Sequence, residues 1–275
     1  MVFGRWTMPR ATELLRAWVP LALAGASLLA TACEKPVYLT FDTGHMGVAP
    51  LIADVLARQQ VRVTFFAAHE KTLEGDGTLG EHWASWWRAR ASEGHALASH
   101  THDHAYWRED LPGGAFRIRP SSGPQTGQDL RWSASDYCAN LNQASARLQH
   151  ITGQAPLPLF RAPGGKHSPA LLAAAQHCGY RHVGWADAGF LGDELPSDKY
   201  PNVRLLQQAL ARIRPGEILM AHLGIWSRRD PWAPAVLEPL IQGLKAKGYC
   251  FATLREHPAY ADWVRNHPLV QQASR

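Results

Sequence analysis

Seven short runs rich in β-branched and aromatic residues alternate along this chain with stretches of helical periodicity. The runs are Pro36–Phe41, Val61–Ala67, Gly94–Ala98, Pro158–Arg161, Tyr180–Trp185, Glu217–His222 and Tyr249–Leu254. Between them Ala49–Gln59, His82–Glu93, Ser135–Ile151, Ser168–Gly179, Asn202–Ile213 and Pro234–Lys247 read as helices. Such alternation implies parallel strands joined by crossover helices, and about seven of them imply an α/β fold, a distorted (β/α) barrel of the TIM-barrel type. Active sites in such barrels sit at the C-terminal ends of the strands. The chemically loaded residues of this chain collect there: Asp42, His100, His104, Arg161, Asp187 and His222 each follow a strand.

The first 32 residues read as an export signal. Arg5, Arg10 and Arg16 form a positive segment, Ala17–Leu29 is apolar, and Ala30-Thr31-Ala32 is a small-residue cleavage site. The apolar run is shorter than the ~18–20 residues of a spanning helix. Cys33 follows directly, which makes it a lipid-anchor candidate and a membrane attachment point; an ordinary cleavage site beside an incidental cysteine is the alternative. Either reading sends the protein out of the cytoplasm, to the periplasm or cell envelope of a bacterium. With Cys33 set aside, Cys138, Cys178 and Cys250 are an odd number, and no bridge is assigned.

The formal charge of +5 becomes +3 without residues 1–32, and no Lys/Arg-rich run follows, so nucleic acid is not an expected partner. The main domain is expected over 36–257, with an irregular Gly/Pro-rich insertion at about 105–133 and a C-terminal tail at 258–275. Trp83, Trp86 and Trp87 share a helix face at i, i+3 and i+4, the spacing of a core stripe. A monomer is expected.

Ser99-His100-Thr101-His102-Asp103-His104 places three alternate histidines after a buried strand. In a helical turn His100 and His104 share a face and could grip one ion, while His102 points elsewhere. A solvated His-rich loop is the bland reading, in a chain with 14 histidines. His45, His69, His82 and His95 lack partner spacing and are read as structural. Trp226 and Trp232 follow His222 and could stack on a ligand ring or be buried under the next helix; Trp107 and Trp132 carry the same ambiguity.

Taken in order, Thr40-Phe41-Asp42-Thr43-Gly44, His100–His104, Arg161-Ala162-Pro163-Gly164-Gly165 and Leu219-Met220-Ala221-His222 resemble the motifs of the polysaccharide deacetylases of the NodB-homology type, carbohydrate esterase family 4. The resemblance runs from about Pro36 to Leu254. It implies a catalytic base at Asp42, metal-binding histidines at His100 and His104, an arginine orienting the base at Arg161, an oxyanion-binding N–H at Gly164 and a general acid at His222. The family's third metal ligand, a second carboxylate, is replaced by Thr43; the Thr43 hydroxyl, Asp42, His45 or Asp103 could complete the site. The fourth motif keeps Trp185 and Asp187, but Phe190 and Leu191 replace its later Asp-Trp pair, which leaves the partner of His222 open. Asp187 and Trp226 are candidate substrate contacts beside Gly164.

The implied function is metal-dependent hydrolysis, with zinc the expected cofactor, of N-acetyl groups on an envelope amino-sugar glycan: peptidoglycan, poly-N-acetylglucosamine or a chitin-like oligomer. A catalytically impaired glycan-binding member and an O-acetyl esterase using the same site are the competing readings.

Overall fold

The computed structural model describes residues 1–4 and 33–269, and the expected export signal lies outside them except at its first residues. The chain divides into units Met1–Ala32 and Cys33–Arg275, and the fold is that of the second. Its strands are β1 (Pro36–Asp42), β2 (Thr64–Ala67), β3 (Ala96–Ser99), β4 (Ala105–Leu111), β5 (Ala115–Pro120), β6 (Leu130–Trp132), β7 (Leu159–Phe160), β8 (Arg181–His182), β9 (Ile218–His222) and β10 (Cys250–Phe251). The helices are α1 (Ala49–Arg58), α2 (Glu81–Ser92), α3 (Ala134–Thr152), α4 (Pro169–His177), α5 (Asn202–Arg212), α6 (Leu237–Ala246) and α7 (Ala261–Asn266).

Seven of the strands form one parallel sheet in the order β10-β1-β2-β3-β7-β8, with β9 also paired to β1 along Tyr38–Asp42. Between β8 and β9 the wall is completed by an extended segment, where Ala186 N–H donates to Ile218 O and Phe190 bridges to Met220. The result is the distorted barrel expected from the alternation. Its period-two pattern sorts every β1 side chain. Val37, Leu39 and Phe41 pack outward with helix residues such as Ile52, Leu56 and Trp87, while Tyr38 packs among Phe66, Ala98 and Ile218. Asp42 lies on the Tyr38 side of that alternation, so a one-residue slip of β1 would carry its carboxyl out of the barrel.

Three departures from the sequence reading have physical causes. The insertion at 105–133 is a three-stranded antiparallel sheet, β4-β5-β6, rather than irregular chain. Its inner face, Ala105, Phe116 and Ile118, packs on Tyr137 and Leu141 of α3 and on Leu171 of α4. The C-terminal tail contains α7, whose Trp263 packs on the barrel and donates its indole N–H to Pro158 O at 3.0 Å.

The four cysteines form two bridges, Cys33–Cys250 and Cys138–Cys178. The first joins the residues leading into β1 to the adjacent strand β10, where Pro36 is in register with Cys250. A sulfur in that bond cannot also carry a lipid thioether, so Cys33 is a bridging residue here and not an anchor. No helix among the described residues is long and apolar enough to cross a membrane.

Candidate active site

Parallel pairing of β1 with β9 sets Asp42 directly opposite His222, and Leu223 N–H donates to Asp42 O. Two proton-transfer groups thus leave neighbouring strands at the same end of the barrel. Asp42 is buried, and its Oδ1 accepts from Arg161 Nη1 at 2.7 Å. Arg161, at the end of β7, is wholly buried and also donates to Thr40 Oγ1, Val183 O and Gly184 O. Its guanidinium lies 4.3 Å from the Phe66 ring centroid. Burial alone would raise the Asp42 carboxyl, but Arg161, with His100 and His222 behind it, outweighs burial and holds the group below its ordinary value.

The histidine segment is not a helical turn. Thr101 and His104 adopt left-handed backbone, φ 60° and 47°, so the chain doubles back between β3 and β4. Asn140 of α3 clamps this strained turn, accepting from Asp103 N–H through Oδ1 and donating to Asp103 Oδ2 through Nδ2. The turn still brings the His100 and His104 rings to 4.8 Å between centroids. His100 Nδ1 donates to Arg161 O at 2.9 Å; a carbonyl only accepts, so Nε2 is left as the lone pair, 3.7 Å from Asp42 Oδ2. Burial depresses His100 to about 4, which keeps the ring neutral and fit to bind a cation. His104 is anchored at Nδ1 by Ser121 Oγ, 2.5 Å away. His102 pairs instead with Asp103 at 2.8 Å and takes no part.

The partner of His222 is Asp193, which the sequence reading did not single out. Its carboxylate accepts from His222 N–H at 2.7 Å and lies 3.1 Å from Nδ1, which leaves His222 Nε2 to face the site. Burial pulls His222 down, but Asp193 first and then Asp42 and Glu194 push it up to about 9. The signal was the acidic pair Asp193-Glu194 after Gly192, a few residues beyond the degraded fourth motif. Asp187, a candidate substrate contact in the sequence reading, is exposed in a short turn and forms none of the site's ion pairs.

Thr43 is buried, and its Oγ1 accepts Ala68 N–H at 3.0 Å, a structural bond rather than an open donor. Gly164, in the turn after β7, has φ 61°, and its N–H donates to no backbone carbonyl among the described residues. A Cβ there would meet Tyr106 Cε1 at 2.8 Å. Gly164→Ala is expected to cost about 1–2 kcal/mol from the left-handed backbone alone, read as a drop in melting temperature of a few degrees. Tyr106, the second residue of β4, sits edge-on to His104 at 4.9 Å. Trp226 is 61% exposed and meets His45 edge-on, whereas Trp232 is buried. His45, Asp193, His222, Gly224 and Trp232 line a cavity of about 60 Å³ beside the acid.

The donor set suits a divalent cation. His100 and His104 are both anchored at Nδ1, the support that metal-binding histidines require. Beside them Glu70 Oε2 is buried with no hydrogen-bond partner.

The polysaccharide deacetylase family model matches residues 30–183. The chain is 26% identical over 246 residues to a chitooligosaccharide deacetylase of Azorhizobium caulinodans, covering 85% of this chain and all of that protein. It is 26% identical to the peptidoglycan-N-acetylmuramic acid deacetylase PdaA of Bacillus subtilis, covering 83% of this chain and 73% of that one. In fold it is similar to a family 4 acetyl xylan esterase from Clostridium thermocellum in complex with a cobalt ion, with TM-score 0.62, 21% identity, and coverage of 83% of this chain and 92% of that one. With the family model matching more than half its length, this chain belongs to the polysaccharide deacetylase family.

Proposed function

We propose that the protein is a metal-dependent hydrolase, with zinc as its cation, that removes N-acetyl groups from an amino-sugar polymer or oligomer of the cell envelope. The observation that carries this reading is the pair of opposed proton-transfer groups on adjacent strand ends. Asp42 is kept ionised by Arg161 and His222 is kept protonated by Asp193. That is the charge arrangement amide hydrolysis needs. A divalent cation held by His100 and His104 would polarise the acetyl carbonyl and make the attacking water more acidic.

Asp42 Oδ2, which is not used by Arg161, takes the proton of the attacking water. The Gly164 N–H supports the oxygen on which negative charge develops. His222 then protonates the departing nitrogen from Nε2, and Asp193 stabilises the ring in its charged form. Trp226, open to solvent at the rim, offers an indole face to a sugar ring. The relatives' chitooligosaccharide and peptidoglycan substrates support the choice of an N-acetylated glycan. The leader and two disulfides support export to an oxidising compartment, the periplasm or envelope.

The test is acetate release from chitooligosaccharides, peptidoglycan and acetylated xylan, with Asp42→Asn and His222→Ala as controls. Unchanged release in both variants would sink the mechanism. Release from the ester substrate alone would make the protein an O-acetyl esterase. The structural use of Thr43 favours one other reading, a glycan-binding member without activity, which glycan binding without acetate release would support.

The acid's charge state sets the expected pH profile. His222 works protonated, so the rate should fall as pH rises through about 9. Asp193→Asn removes the strongest upward push, so the alkaline limb should move down toward the ordinary histidine value of about 6.5. A pH–rate profile in which the limb does not move would exclude Asp193 as the orienting partner.

A further inference from the structure

A catalytic zinc ion takes three protein ligands and keeps one position open, so the histidine pair needs a third donor. Most candidates around it are committed elsewhere. Asp42 gives Oδ1 to Arg161, and its free Oδ2 is the base of the proposed mechanism; Thr43 Oγ1 is tied to Ala68 N–H, and Asp103 to His102 and Asn140. His45 Nδ1 accepts from Gly47 N–H. Glu70 remains. Its Oε1 lies 3.8 Å from His104 Nδ1, and its Oε2 is buried without a hydrogen-bond donor. Withdrawing a carboxylate oxygen from water without a partner is costly. A cation bound between the rings would relieve that cost.

The loop bearing Glu70 is fixed on both sides of the site. Thr43 Oγ1 accepts from Ala68 N–H, and Thr78 Oγ1 bonds Ala68 O while accepting from Glu70 N–H. His69 N–H donates to His102 O at 2.7 Å, inside the histidine turn. Position 43 therefore spends its side chain on holding the loop that carries a carboxylate to the histidines. Among the described residues no three His, Cys, Asp or Glu groups are placed so that they could hold a metal ion as they stand. To complete a site, the Glu70 side chain would have to turn from His104 Nδ1 toward the space between the two rings.

We infer that Glu70, in place of Thr43, supplies the carboxylate that completes the metal site with His100 and His104. The inference rests on the metal dependence proposed above. Cobalt(II) titration of the apo full-length protein tests it without any turnover, through the visible absorption of the bound ion and competition with a chromophoric chelator. The wild type should bind one equivalent. Glu70→Gln and Glu70→Ala should weaken binding about tenfold to a hundredfold or more, with apo melting curves confirming that both are folded. Thr43→Ala should weaken binding much less than Glu70→Ala, because the loop keeps its Thr78 and His102 contacts, and adding Thr43→Asp to Glu70→Gln should restore much of the lost affinity. Wild-type affinity in both Glu70 variants, or a loss in Thr43→Ala as large as that in Glu70→Ala, would overturn the assignment while leaving metal dependence intact. A wild type that binds no cobalt or zinc would overturn both.

Discussion

Asp42→Asn is expected to lower kcat for acetate release by about a hundredfold to ten-thousandfold, the range spanned by a positioned general base. The amide keeps the shape of the carboxyl and can still accept the Arg161 bond, so the loss reads the missing charge more than a missing contact. The change also removes the only carboxylate bonded to a fully buried guanidinium among the described residues. Breaking a buried pair by deleting one partner typically costs about 3–5 kcal/mol, because the other charge is left uncompensated. Thr40, Val183 and Gly184 still hold Arg161, which places the expected cost toward the low end. The measurement is kcat beside thermal melting in the same buffer. A variant that melts lower yet is folded at the assay temperature, and still turns over at the wild-type rate, would remove Asp42 from the mechanism.

The second large effect concerns stability. Cys33–Cys250 closes a segment with a sequence separation of 217, and Cys138–Cys178 one of 40. Chain-entropy arguments give about 5 and about 4 kcal/mol for loops of these sizes, with measured effects more often about 2–4 kcal/mol each. Set against a total of roughly 5–15 kcal/mol for a folded domain, losing both is severe. Melting under a reductant should therefore fall by about 10 °C or more, at about 2–4 °C per kcal/mol for a chain this size. Cys33→Ser should reproduce part of the drop without reductant. Identical melting curves with and without reductant would show that the bonds contribute nothing to folding.

The strand endings were legible because burial and chemistry change abruptly there. Thr40-Phe41-Asp42 and Ala221-His222 each pass from apolar run to titratable group within a residue or two, and the fold puts them side by side. The inserted sheet was legible in part. Phe116 and Ile118 alternate with Arg117 and Arg119, and Gly113-Gly114 is a hairpin turn signal, but the abundance of Gly and Pro masked both. Asp193 was not legible, because its bond to His222 spans 29 residues and follows from where the 186–191 segment meets β9. Neither was the pairing of the cysteines, since spacing alone does not fix connectivity. Glu70 lies beyond β2 in a loop whose course depends on contacts from Thr43, Thr78 and His102, none adjacent to it in sequence.

The bond between Cys33 and Cys250 also changes what a single cut does to this molecule. Residues 33–250 form a covalent ring, and every strand of the barrel before β10, both histidines of the motif, Asp42, Arg161 and His222 lie on it. A protease that clips one exposed loop of the ring, such as the Gly113-Gly114 tip, opens a circle instead of releasing a fragment. The nicked protein keeps its mass in a non-reducing gel and separates into pieces only once the disulfides are reduced. Damage of that kind is held in place rather than shed.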